Sequence, residues 1–192
     1  SFHLCKYRPE NAELEIYSFN ANNVSENVVQ HIGKELNANI HIVPTNKYIN
    51  YLFKTHTVFL KNFLPYPFNY YNSLSLEIVE EINNKRPDAI WINGDFMLKV
   101  LKQFDGYKKV LTMPDCVCLY YNRLLKDDWC KQSWLKTFGN RIQAAKNKQL
   151  ERNYPTKNTI YHLVGEADKQ YLLNINKGLD AHFIRHPHYN YT

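Results

Sequence analysis

"PDAIWINGDFMLKVLKQFDGYKKVLTMPDCVCLYYNRLL", Pro87 to Leu125, is the stretch whose reading decides the fold. "PDAIWIN" is a short apolar run rich in β-formers behind a proline, which reads as a buried strand. "GDFMLKVLKQF" then carries apolar residues at helical spacing. The alternation repeats: "YKKVLTM" (Tyr107 to Met113) reads as a strand, and "PDCVCLYYNRLL" as a turn entering a helix. Strand, helix, strand, helix at this spacing is the pattern of βα units, hence a mostly parallel sheet.

Outward from there the same rhythm continues. "KQSWLKTFGNRIQAAKNKQLERNY" predicts a long helix stopped by Pro155, "NTIYHLV" a strand, "GEADKQYLLNIN" a helix closed by Gly178, and "AHFI" a last strand. Towards the N-terminus, "ELEIYSF" (Glu13 to Phe19) and "ANIHIV" read as strands flanking a helix, "SENVVQHIGKEL", that Ser25 would cap. "SFHLCKY" puts a helix ahead of the first strand. "SLSLEIVEEINN" is a further helix. The expected fold is α/β and Rossmann-like, a mostly parallel sheet with helices on both faces, and with no repeat or linker to divide it the chain reads as one domain.

The 192 residues suffice for a sizeable core without disulfide or metal staples. Hydrophobic residues make up 44% and charged residues 22%, ordinary for a globular protein, which excludes disordered and collagen-like classes. A net charge of +6 favours anionic partners. The basic residues are scattered among 18 acids, with short clusters only at Lys108-Lys109 and Lys146 to Lys148. Nucleic-acid binders gather theirs in a stripe, so nucleic acid is not the expected partner. Four cysteines lack the spacing of a zinc ribbon or disulfide framework, which points to a reduced, cytoplasmic chain. No run reaches the length of a spanning helix.

Ligands of open α/β sheets bind beyond the carboxyl ends of the strands. That rule selects Asn93-Gly94-Asp95, Pro114-Asp115 and Gly165-Glu166 as cleft candidates. Gly94 would allow close backbone approach, and Asp95, Asp115 and Glu166 each stand where a carboxylate either meets a hydroxyl or simply caps a helix. Cys116 and Cys118, two apart on a helix start, face different ways and read as buried small hydrophobes. His162 and His182 fall inside predicted strands and read as satisfied core or rim histidines. His186 and His188 flank Pro187 in an extended tail, with no following Cys, Asp or Glu to complete a ligand set, so no metal site is expected. From Lys47 to Tyr71, aromatics alternate with basic residues. Lys47, Tyr48, Tyr51, Phe53, Lys54, Phe59 and Lys61 would face a membrane or, alternatively, cover the sheet. There is no G-x-S-x-G, P-loop or H-E-x-x-H.

In order and spacing, "FHLCKY…ELEIYSF", "FLKNFLPYPFNYYNSLSLEIVEEINNKRPDAIWIN", "KKVLTMPDCVCLYYNRLL" and "YHLVGEADKQYLLNIN…AHFIRHPH" resemble the N-terminal, acceptor-side domain of GT-B fold glycosyltransferases of the glycosyltransferase family 4-like kind. The resemblance covers nearly the whole chain. It implies one half of a GT-B fold: residues 1–184 as the acceptor domain, 185–192 as the start of an interdomain linker, with His186 and His188 at the mouth of the acceptor cleft, and a C-terminal donor domain beyond Thr192. The family's first strand and Gly-rich loop would precede Ser1, so the chain is expected to be an excised part. It implies a retaining sugar transferase using a saccharide or lipid-linked acceptor, as in surface polysaccharide synthesis. This half would bind no cofactor, would meet the donor nucleotide sugar only through the second domain, and alone would be inactive. Membrane contact at the inner face is implied by lipid-linked acceptors. Relatives often carry His before the Asp of the "PDC" turn. Pro114 stands there instead, so no catalytic base is assigned, and "VGEAD" has Gly165 in place of a hydroxyl. The alternative is a stand-alone α/β binding module for an anionic partner, nucleic acid or a lipid head group, without catalysis.

Overall fold

The computed structural model describes residues 2–19, 23–44, 51, 62–66, 71, 73–94, 97–113, 115–126 and 133–184. They form α/β structure with parallel strands in two sheets, within two compact units, Ser1–Tyr51 and Leu52–Thr192.

The first unit holds α1 (Phe2–Lys6), β1 (Glu15–Phe19), α2 (Glu26–Leu36) and β2 (Asn39–Val43). Its strands pair in parallel from Glu15↔Asn39 to Phe19↔Val43. The β-α-β connection ends α2 on Asn37 in the left-handed conformation (φ 46°), where Asn is tolerated, and Ala38 N–H returns to Gly33 O. Ser25 stands at the N-cap as expected but makes no side-chain capping bond. Arg8 holds this unit together. Its guanidinium donates to Ala12 O (2.8 Å), Cys5 O (2.9 Å), Leu36 O (2.7 Å) and Asn37 O (2.9 Å), satisfying carbonyls at the C-terminal ends of both helices. Helix C-termini carry orphan acceptors and partial negative charge, and a five-donor fork suits both.

The second unit contains α3 (Leu76–Lys85), β3 (Ala89–Asn93), α4 (Leu98–Lys102), β4 (Lys108–Met113), α5 (Val117–Lys126), α6 (Trp134–Arg152), β5 (Thr159–Leu163), α7 (Glu166–Ile175) and β6 (Asp180–Phe183). Ser75 Oγ accepts from Ile78 N–H to start α3, and Arg86 at φ 51° ends it ahead of Pro87. The sheet order is β3-β4-β5-β6, every pair parallel. Each strand begins and ends within about two residues of the sequence-based expectation, and α6 runs 19 residues to the turn before Pro155.

One sheet face carries Leu111, Met113, Tyr161, Leu163 and Ala181, all buried, with Leu98, Leu101, Phe104, Cys116 and Leu172 completing the core. Tyr161 OH reaches Pro155 O at 2.6 Å, so its polar end is satisfied inside. Burial raises its pKa. The opposite face is more open, with Trp91 and Ile160 exposed. Lys109 corrects the sequence reading: instead of joining a surface cluster it is 2% exposed on the buried face, its ammonium reaching Asp105 Oδ1 at 3.3 Å. The ammonium is buried with its stem, and the exposed Asp105 carboxylate supplies the counter-charge.

Candidate functional site

In a parallel sheet the carboxyl ends of all strands fall on one edge. The register sets Asn93 beside Thr112, and Met113 beside Leu163, so the turns after β3, β4 and β5 sit side by side on that edge. Three predicted loops are therefore brought together: Asn93-Gly94, Asp115, and Gly165-Glu166.

At the first, Gly94 has φ 111°, a conformation L side chains rarely adopt. Its N–H donates to Thr112 O (2.9 Å), which folds the chain around the end of β4, while its carbonyl accepts from Met97 N–H. Asn93 is exposed.

At the second, Asp115 is exposed, and the amides just after it are already engaged. Cys116 N–H donates to Asp168 Oδ1 (2.9 Å) and Cys118 N–H to Glu151 Oε1 (3.0 Å). Both carboxylates are buried, at 6% and 1% exposure. A helix N-terminus is an anion site, and at α5 the anions are the protein's own. Cys116 and Cys118 are buried, as expected. Removal from water pushes the Cys116 thiol up, with the Glu151 carboxylate adding to the effect. Cys118 is raised chiefly by burial too, and its Sγ lies 3.0 Å from Tyr171 OH and 3.3 Å from Ala144 O. A raised thiol pKa leaves little thiolate, so neither sulfur is set up as a nucleophile.

At the third, Glu166 is exposed and tied to its own helix, accepting from Gln170 Nε2 (2.7 Å) with Lys169 Nζ at 3.6 Å. Its role in the described structure is that of a first-turn acid on α7. Two positions on, Asp168 is the acid that links this turn to the next. A Cβ added to Gly165 would collide with Asp168 Oδ2, although φ −118° at Gly165 suits any residue. Glycine leaves room there for the Asp168 carboxylate.

Behind the edge on the open face runs a chain that sequence reasoning did not assemble. Trp91 Nε1–H donates to Thr112 Oγ1 (2.8 Å), which lies 3.2 Å from His162 Nδ1, and His162 Nε2 is 3.1 Å from Ile184 O. A carbonyl only accepts, so Nε2–H donates to Ile184 O, and in that tautomer Nδ1 accepts a hydrogen bond from the Thr112 hydroxyl. His162 is the satisfied histidine expected. His182 is satisfied at the rim: it is exposed and paired with Asp180 at 2.7 Å, because alternation turns it to the open side of the last strand.

Asp95, Pro114, His186 and His188 lie outside the described residues, as do Lys47, Tyr48, Phe53, Lys54, Phe59 and Lys61. Tyr51 is described and is 67% exposed. Among the described residues no group of three His, Cys, Asp or Glu side chains could hold a metal, and no helix is long and apolar enough to cross a membrane. No family model, curated protein or solved structure matches this chain.

Proposed function

We propose that this chain is the acceptor-binding half of a retaining GT-B glycosyltransferase, transferring sugar from a nucleotide sugar to a saccharide or lipid-linked acceptor. The single observation that carries the reading is the chemistry of the carboxyl edge. Asn93, the close-approach turn at Gly94 and the Asp115 carboxylate offer acceptors and donors suited to sugar hydroxyls. The Cys116 and Cys118 amides, where a diphosphate would seek a helix N-terminus, are filled by Asp168 and Glu151. An edge of this kind suits a polyol better than a phosphate.

In this reading the reaction is displacement of a nucleoside diphosphate by an acceptor hydroxyl, its departing charge stabilised by groups of a second domain. This half contributes orientation, which by itself removes much of a bimolecular barrier. The stand-alone anionic-partner module is the rival. It is weakened by Lys109 being buried and by Lys146 donating to Asn62 O and Leu64 O, since both belong to the basic clusters that suggested it.

The test is a transfer assay on the native gene product with labelled nucleotide sugars and saccharide acceptors. Transfer with retained anomeric configuration, together with none by the 192-residue chain alone, supports the reading. A native product of only 22.9 kDa, or turnover by this chain by itself, overturns it.

A further inference from the structure

Helix α6 has a buried inner face and an exposed apolar one. The inner one, Gln143, Ala144, Asn147, Leu150 and Glu151, is buried. At 3.6 residues per turn, Trp134 and Phe138 fall about half a turn of the wheel away from that set, with Leu135 beside them. They are exposed accordingly, at 75%, 59% and 61%. No core requirement places them there.

A second element lies against the Leu135 side of this helix. Gln143 Nε2 donates to Asn62 Oδ1 (3.0 Å), and Lys146 Nζ to Asn62 O (2.7 Å) and Leu64 O, which seats residues 62–66 on α6. A Cβ on Gly139, next to Phe138, would lie 3.3 Å from Asn62 Nδ2. Phe63, on this seated segment, is 81% exposed, and Tyr66 is 42% exposed. Large exposed apolar groups held on two elements mark an interaction surface.

Charge identifies the partner. From Ser133 to Leu150 the chain has Lys136, Arg141, Lys146 and Lys148 and no acid. Arg141 and Lys148 are exposed and lie along one side of the Trp134–Phe138 stripe on the wheel. Aromatics and Leu on a stripe bordered by one sign of charge is the design of an interfacial helix: the rings enter the headgroup region and the cations meet anionic lipid.

We propose that the outward face of α6, with Phe63, is a docking surface for an anionic lipid bilayer. Trp134, Leu135, Phe138, Arg141 and Lys148 lie outside the Lys47–Tyr71 stretch while Phe63 lies within it, and the assignment does not rest on the transferase reading. The test is co-sedimentation of the 192-residue chain with phosphatidylcholine vesicles, with and without roughly a quarter phosphatidylglycerol. Binding is expected to the anionic vesicles, to fall about tenfold in Trp134→Ala/Phe138→Ala and again in Arg141→Glu/Lys148→Glu, with Trp134 emission shifting to the blue on binding. These positions are exposed, so circular dichroism should show both variants folded. Equal binding by the variants, no binding to anionic vesicles, or self-association in sedimentation velocity that the Trp134→Ala/Phe138→Ala change abolishes would each overturn the assignment.

Discussion

Asp168 and Gly165 act through one hydrogen bond, and a double-mutant cycle can read that. The Asp168 carboxylate accepts from Cys116 N–H at 2.9 Å while 6% exposed, and it occupies the space a Cβ on Gly165 would need. Asp168→Ala removes a charge-assisted bond at a helix start and strands the amide, which costs about 2 kcal/mol. Gly165→Ala forces the carboxylate off that amide and should cost a similar amount, about 1–2 kcal/mol. With Asp168 already alanine nothing opposes the new Cβ. At φ −118° Gly165→Ala then becomes neutral or stabilising by about 0.5 kcal/mol, through the smaller entropy of the unfolded chain. The two changes therefore couple by about 2 kcal/mol. Urea unfolding followed by tryptophan fluorescence measures all four corners. Additive costs would refute the reasoning, because they would mean that Gly165 serves something other than room for Asp168.

Arg8→Met should lower the stability of the first unit by about 2–4 kcal/mol, and Arg8→Lys should recover little of it because an ammonium cannot fork to four carbonyls; hydrogen exchange of the α2 and β2 amides is the readout. Gly94→Ala, at φ 111°, should cost about 1–2 kcal/mol in chemical denaturation and shift the amide resonances of Thr112 and its neighbours. Stability should also fall on the alkaline side. Burial raises Cys116, Cys118, Tyr161 and Tyr171, so above the ordinary thiol and phenol values, about 8.5 and 10, the unfolded chain loses protons that the folded chain keeps. Denaturation midpoints should be level near neutrality and decline from about pH 8.5 upward. A rise there would contradict the burial of these groups.

The fold was legible because periodicity reports burial: "AIWIN", "KKVLTM" and "TIYHL" are short apolar or β-branched runs bounded by Pro, Gly and Asn, and each is a parallel strand. The three turns of the candidate edge were legible for the same reason, since the strand-end rule needs only strand positions. Partnerships across the sequence were not. Nothing local ties Cys116 to Asp168 or Cys118 to Glu151, separated by 52 and 33 positions, so the parts played by Asp168 and Glu151 could not be read from the sequence. Lys109 looked like surface charge because composition counts a lysine as exposed, whereas its strand position faces inward. For His182 the pattern gave its strand but left open whether it lay in the core or at the rim, where it is. The outward stripe of α6 lay inside a helix that was read for length rather than for which of its faces meet the core.

Titration of the isotopically labelled chain with oligosaccharides and, separately, with nucleotide sugars tests the acceptor-half proposal most directly. Saccharide acceptors should move the amide resonances of Asn93, Gly94, Asp115, Gly165 and Glu166 together, with nucleotide sugars leaving them in place. Shifts induced at those positions by the nucleotide sugar or free diphosphate, with none from any saccharide, would contradict it.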